Sequence, residues 1–500
     1  MIRDYIAAGF PSHPIQFAES FYLHYPRVAF GLWPPLFHIV SGVWMFLFGE
    51  TRQPVLALCA TVTATWGYVF FQILKPRFGF VRSLIGSILL LSLPAAQTSA
   101  AAMMLDMAVA LAILAAMIQF ARYLDTESVR DACLFGLYAA VAALVKYNGL
   151  LLSLLPPLCV LLTGRYFLLR RKSFWLPAAI VLAIAGPWYI AMRRLVVYAA
   201  DTGADETHFW KTAAGNTTDL ARLGGIVLFT LGIIGAGLAV RNSRRYANDP
   251  HTNLHISAVA ILASSWLFHT VLYPIQDSRY LLPAAASVVM LALLALDTAV
   301  GALRFLPWNV RAVEAAAMAL LVLPYAALTF HLPRKNTTDF SRVADIVLAQ
   351  RLPVNGVVLV AADAMGEGMF VSEFAMRGPR PRHFVARSRK FLVQHTLMGQ
   401  QYTMLFKTGP ELMAALDSVP VSLVVLDECI QQSCGEHGLL LSSLVREMPR
   451  RWEMVDTVPK ETGGQIRIYR LNGNEHKTFN RLSIDMRYTL GGIISVAPGD

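Results

Sequence analysis

Apolar residues in this chain come in long blocks rather than at helical or strand spacing. Up to residue 330 the blocks are 55–74, 83–96, 107–123, 132–145, 149–162, 174–192, 224–240, 256–272, 281–296 and 312–330, separated by short polar connections. Blocks of about 18–20 residues that are apolar on every side predict helices crossing a bilayer, roughly ten here, the shorter ones tilted or buried in a bundle. The block at 36–48 follows Trp33-Pro34-Pro35 and carries His38, Ser41 and Trp44, which predicts a helix lying at the interface. After His331 the pattern changes: strand-like 357–361, 383–386, 421–427, 452–458 and 465–471 alternate with helix-like 366–376, 411–416 and 439–448, as in a small α/β domain. The expected fold is mainly α, a polytopic transmembrane helix bundle with a C-terminal extracytoplasmic α/β domain. Its expected parts are a first extracytoplasmic loop with interfacial helices at 1–53, a bundle at 54–330 containing an extracytoplasmic loop at 193–222, and a soluble domain at 331–500.

Composition agrees with that pattern: 56% hydrophobic, 15% charged and a mean hydropathy of +0.50 describe a multi-pass membrane protein. The net charge of +11 would suit nucleic acid, but the basic residues are scattered between apolar blocks rather than gathered on one domain, so no nucleic-acid partner is expected. They are distributed by side instead. Alternate connections hold Lys75, Arg77 and Arg82, then Arg122 and Arg130, then Arg165, Arg170, Arg171 and Lys172, then Arg241, Arg244 and Arg245, then Arg304 and Arg311, and this richer set is predicted to face the cytoplasm. The first 53 residues, the loop at 193–222, the connection Asp277-Ser-Arg279-Tyr280 and the C-terminal domain then share the opposite, extracytoplasmic face of a plasma (inner) membrane. The first 33 residues have neither a basic n-region nor an apolar h-region, so no signal peptide is expected. Cys59, Cys133 and Cys159 fall in or beside apolar blocks as packing residues, whereas Cys429 and Cys434 could close a small disulfide loop in an oxidising compartment.

Two charges stand out against the apolar blocks. Asp106 and Lys146 lie at the outer ends of two blocks joined by the polar stretch 125–131. One crossing out and one back puts both on the same face, where an opposite-charge pair could hold a charged substrate. The alternative is that Asp106 caps the helix after it and Lys146 reaches to the interface from a helix end. In the C-terminal domain, Asp363-Ala-Met-Gly366-Glu-Gly368 follows a strand and opens a helix, a weak phosphate-binding signal without the full glycine fingerprint.

Several short motifs occur in order: Gly31-Leu-Trp-Pro-Pro-Leu36, Met104-Leu-Asp106-Met, Leu144-Val-Lys146-Tyr-Asn-Gly149, Gly186-Pro-Trp-Tyr189 and Arg279-Tyr-Leu-Leu-Pro283. Together they resemble the polyprenyl-phosphate-sugar glycosyltransferases of the GT-C fold, the group containing protein O-mannosyltransferases and the aminoarabinose transferase of lipid A, and most of all its bacterial members. Members of that group begin with a transmembrane helix and an acidic pair a few residues before a tyrosine. Here the sequence opens Met1-Ile-Arg-Asp4-Tyr5, so the resemblance implies a first helix missing ahead of Met1, through a late-assigned start or truncation, with Asp4 the acid at that place. The lysine that often precedes the Pro-Pro is Trp33 here, which leaves Arg27 as the nearest cation.

The resemblance implies attack of an acceptor hydroxyl, on lipid, glycan or protein, at the anomeric carbon of a polyprenyl-phosphate sugar, with inversion and departure of the lipid phosphate. A hydroxyl needs a carboxylate base, for which Asp106 is the candidate, alone or with Asp4. The leaving phosphate gains charge, so Lys146 and Arg279, with Tyr280 and Arg27, are the expected binding residues. Arg279 and Tyr280 could instead only anchor a span at the interface. No cofactor is required, although Asp4, Glu19 and Asp106 could meet around a divalent metal. The competing reading is a multi-pass transporter or lipid flippase, which would call for mid-membrane ionisable residues and internal repeats, neither of which stands out.

Overall fold

The computed structural model describes the chain except residues 27–32, 194–205, 246–249, 273–276, 303–309, 331–337, 354–355, 379, 381–382, 395–401, 420, 429–434, 462, 475–481, 487–491 and 497–500. The described contacts divide the chain into two compact units, one of Trp33–Trp44 and Gln53–Pro333, the other of Met1–Leu32, Met45–Arg52 and Arg334–Asp500.

The first unit is helical. Its principal elements are α1 (Arg52–Ser92), α2 (Asp106–Thr126), α3 (Val129–Val145), α4 (Glu206–Arg245), α5 (Pro250–Leu267) and α6 (Pro283–Ala302). Among the described residues, five helices are long and apolar enough to cross a membrane, and four more apolar helices of 10–17 residues accompany them. Where ten spans are expected, α1 joins two of the apolar blocks: a straight helix of 41 residues would run to roughly twice a bilayer core of about 30 Å, and it breaks instead at Gly79, with φ 76°, just after Pro76. Proline removes the hydrogen bond to the preceding turn and glycine takes the left-handed backbone a side chain would resist. α4 breaks in the same way at Gly225. The block at 149–162 also divides, into a 3-10 turn Tyr147–Ser153 and the helix Leu155–Thr163, because Pro156 and Pro157 favour a helix start there. α6 lies at the centre, nearly continuously buried from Pro283 to Ala295. At its far end Asp297 accepts from Arg77 at 3.1 Å and Arg82 at 2.7 Å, which ties the α1 bend to α6.

The second unit is a three-layer α/β domain. Strands β1 (Val357–Ala361), β2 (Phe384–Arg387), β3 (Val421–Asp427), β4 (Trp452–Pro459) and β5 (Gln465–Leu471) form one sheet in the order β2-β1-β3-β5-β4. The pairs β1/β2 and β1/β3 are parallel, whereas β3/β5 and β5/β4 are antiparallel. Alternate residues of each strand face opposite sides: Val357, Leu359, Val424 and Leu426 pack with Leu412, Leu416, Leu441 and Leu444, while Val358, Val360, Leu423 and Val425 pack with Val343, Val347, Phe370 and Phe374. Covering on both faces explains why β1 and β3 read as continuous apolar runs. Helix α7 (Ala364–Arg377) makes the β1 to β2 crossover, and α8 (Gly435–Glu447) follows β3. The N-terminal helix Pro14–His24 belongs to this unit and not to a separate first loop, with Tyr22 and Leu23 in its core and the His24 ring stacked on Phe384 at 3.9 Å. The call on Cys429 and Cys434 lies outside the described residues, while Cys59, Cys133 and Cys159 are free thiols.

Candidate functional site

Asp106 and Lys146 meet. Asp106 opens α2, Lys146 is the residue at which α3 ends, and the lysine Nζ lies 2.6 Å from the Asp106 Oδ1. Each residue is only 2% exposed, so neither a plain helix cap nor a lysine extended to solvent describes them. Two aromatic rings complete the ammonium's surroundings: Tyr280, with its centroid 4.2 Å from Nζ, and Trp33, at 5.6 Å. A desolvated ammonium held over ring faces gains about 2 kcal/mol, which offsets part of what burial removes. Among the described residues Lys146 is the sole donor to the Asp106 carboxylate.

The backbone that aims Lys146 is set by its neighbours in sequence. The lysine is extended, with φ −159° and ψ 152°, and the 3-10 turn after it folds back over α3. At Gly149 a Cβ atom would lie 2.2 Å from the carbonyl carbon of Ala142, so only glycine permits that approach. Asn148 then donates its side-chain amide to the backbone carbonyl of Tyr280 at 3.0 Å, and Tyr189 donates its hydroxyl to the carbonyl of Ala143 at 2.8 Å. The Leu-Val-Lys-Tyr-Asn-Gly motif is therefore a device for turning a helix end and docking it on the segment that carries Arg279.

Arg279 and Tyr280 occupy a 3-10 turn, Ser278–Leu281, that leads into α6, capped by Asp277, whose side chain accepts from the Arg279 amide. The Arg279 guanidinium is half-exposed, lies 2.8 Å from the Asp277 carboxylate, reaches the Tyr280 hydroxyl at 3.4 Å and is directed at the Met104 sulfur at 3.8 Å. Burial raises the Tyr280 phenol above its usual pKa, against the pull of Arg279, so its hydroxyl stays protonated at neutral pH.

Of the other predicted site residues, Asp4 belongs to the α/β unit, where its carboxylate faces Arg3 at 2.9 Å and Arg380 at 3.5 Å. Burial tends to raise its pKa, but the neighbouring positive charges outweigh this and hold it below the usual value. Arg27 lies outside the described residues. No cluster of three histidine, cysteine or acidic side chains suited to a metal occurs among the described residues. At Gly366 the amide that a phosphate would use is taken by the Asp363 carboxylate, 2.6 Å away, which makes the Asp363-Ala-Met-Gly stretch an acid-capped helix start. Sequence reasoning gave no role to Trp33, Asn148 or Asp277; Asn148 stood in a motif and Asp277 in the connection ahead of Arg279, but their partners were not visible.

A family model described as dolichyl-phosphate-mannose-protein mannosyltransferase matches residues 33–190, the stretch that holds Trp33, Asp106, Lys146 and Gly149. The fold is similar to that of ArnT from Cupriavidus metallidurans in the apo state, with a TM-score of 0.54 at 14% identity over 93% of this chain and 98% of that one. The same ArnT bound to undecaprenyl phosphate matches with a TM-score of 0.50 at 16% identity over 95% and 93%. Arabinofuranosyltransferase AftD from Mycobacteria gives 0.51 at 15% identity, over 93% of this chain but 38% of that longer one. No curated protein sequence matches. At these identities the likeness to the solved structures is one of fold.

Proposed function

We propose that this chain, a membrane protein with the GT-C fold of polyprenyl-phosphate-sugar glycosyltransferases, moves a sugar from a polyprenyl phosphate to an acceptor hydroxyl on lipid, glycan or protein. The observation that carries the reading is the buried Lys146–Asp106 pair at 2.6 Å beside Arg279 and Tyr280. A phosphate entering this site competes with Asp106 for the lysine ammonium. Its arrival detaches the carboxylate, which becomes a free base where an acceptor hydroxyl can reach it. The hydroxyl oxygen bonds the anomeric carbon as the carbon–oxygen bond to phosphate breaks, the proton passes to Asp106, and the lipid phosphate leaves. Charge that builds on the phosphate oxygens meets Lys146 and the half-exposed Arg279, so those contacts favour the transition state over the bound donor. One displacement inverts the anomeric centre.

In this reading Asp4, engaged by Arg3 and Arg380, takes no part in the chemistry. The distribution of basic connections favours an extracytoplasmic site in the plasma (inner) membrane, the side on which Asp106, Lys146 and Arg279 all emerge. The test uses membranes containing the full chain or its Asp106→Asn variant, labelled polyprenyl-phosphate sugars and a crude acceptor fraction. A transferase yields labelled acceptor with the native chain, and the variant still binds donor but yields none. Label that crosses the bilayer with no product in either case would instead identify a flippase.

A further inference from the structure

The α/β unit holds a cavity of about 390 Å³, within the range of about 300–1,000 Å³ usual for small-molecule sites. Its position follows from the topology. From β1 the chain crosses to β2 on one side and then returns to β3 on the other, so the strand order reverses between β1 and β3. In open α/β sheets that crevice, beyond the carboxyl ends of the strands, is where ligands bind. The cavity lies there: Ala361 and Ala362 end β1, Leu426 and Asp427 end β3, and Ser388 follows β2.

The lining has mixed charge, already arranged in pairs. Asp427 Oδ1 lies 2.5 Å from Lys460 Nζ, and Glu428 Oε1 lies 2.9 Å from Arg467 Nη2. Among the described residues each carboxylate has its second oxygen unengaged by a side chain. Ser442 and Arg446 of α8 and Tyr469 of β5 complete the polar wall. A phosphate would face two carboxylates, and the helix start that opens after β1 is already capped by Asp363. An ammonium would face Arg446 and Arg467. A neutral polyol matches both kinds of group, because each hydroxyl can donate to a carboxylate oxygen and accept from a guanidinium.

Ser388 is part of the wall and not a nucleophile. Its hydroxyl donates to Glu367 Oε1 at 2.6 Å, so the contact at 3.1 Å with His437 Nε2 is one in which the histidine donates. The other ring nitrogen then accepts from the Tyr402 hydroxyl at 2.8 Å. A histidine protonated at Nε2 cannot take the serine proton, which removes serine-hydrolase chemistry from consideration.

We propose that this cavity is a binding site for a neutral sugar ring, held through Asp427, Glu428, Arg446 and Arg467 against Tyr469. It is carried by the α/β unit alone and does not rest on the reading of the Lys146–Asp106 site. The full chain in lipid nanodiscs free of glycoside detergent is titrated with the methyl α-glycosides of mannose, glucose and galactose, followed by saturation-transfer NMR. Galacturonate and glucosamine serve as the charged counterparts. At least one neutral glycoside gives a signal that exceeds both charged sugars, falls at least tenfold in Ser442→Trp and severalfold in Glu428→Gln, and is unchanged in Asp106→Asn. The proposal is overturned if no neutral glycoside responds, if a charged sugar responds more strongly, or if the signal persists in Ser442→Trp. Should Ser442→Trp melt early by circular dichroism, Glu428→Gln at the half-exposed rim decides alone, and an undiminished signal there overturns the site. Signal lost in Asp106→Asn but kept in Glu428→Gln would place the bound sugar at the other site, and would also overturn the proposal.

Discussion

Among the described residues two acid–base pairs are buried on both sides, one in each unit, and they are built differently. Glu367, fully buried, accepts from Arg387 Nε at 2.9 Å, from the Ser388 hydroxyl at 2.6 Å and from the Arg389 amide at 3.1 Å. Asp106, equally hidden, accepts from Lys146, and the rest of that ammonium faces ring carbon. Three donors on one carboxylate leave nothing for a ligand to improve, and such an arrangement serves the fold. A pair with lone pairs and N–H groups to spare gains when a second anion arrives. The contrast separates a brace from the proposed site even though burial alone ranks the two alike.

Substitutions at the two pairs sharpen the contrast. The largest effect is expected at Asp106→Asn, where loss of the proposed base lowers kcat by about 10²–10⁴-fold with donor affinity retained, as read from single-turnover transfer and equilibrium binding. Next, Lys146→Met strands a buried carboxylate and should cost about 3–5 kcal/mol of stability in denaturant melts, most of it recovered in the Asp106→Asn/Lys146→Met double variant. Glu367→Gln, which removes the charge facing the buried Arg387, should cost about 3–5 kcal/mol by local hydrogen exchange of the α/β unit, with donor affinity untouched. Equal loss of donor binding in Glu367→Gln would erase the distinction between the pairs. Arg279→Lys keeps the charge but loses the guanidinium fork, and a fall of about tenfold in kcat/KM, carried mainly by kcat, is expected from steady-state kinetics. Smallest is Tyr280→Phe, which keeps the ring over Lys146 and should change kcat/KM by no more than about threefold.

Much of this was legible in the residues. The bounds 357–361, 421–427 and 465–471 were legible for two reasons: the first two strands are covered on both faces and read as short, mostly apolar runs between turns, whereas 465–471 alternates polar and apolar residues. That Asp106 and Lys146 share one end of a hairpin followed from its two crossings, whereas their contact did not. What sequence could not supply was anything that depends on a third partner. Trp33 reads as an interfacial anchor until the chain brings Lys146 beneath it, and nothing in 14–24 announces that Tyr22 and Leu23 enter a core built from residues more than 300 positions later. The number of helices differs from the number of apolar blocks for a local reason: at Gly79, inside the basic connection 75–82, and at Gly225, at the start of the block 224–240, the backbone turns while helix continues on both sides.

The hydrogen bond from Asn148 to the Tyr280 carbonyl links positions 132 residues apart within one turn of the lysine it serves. With both ends fastened there, the placement of Lys146 does not depend on the length of the connections that join the helices between them. Grafts or insertions after Met192, in the connection expected on the same side as the proposed site, are then free to alter what that site accepts while Lys146 stays in place.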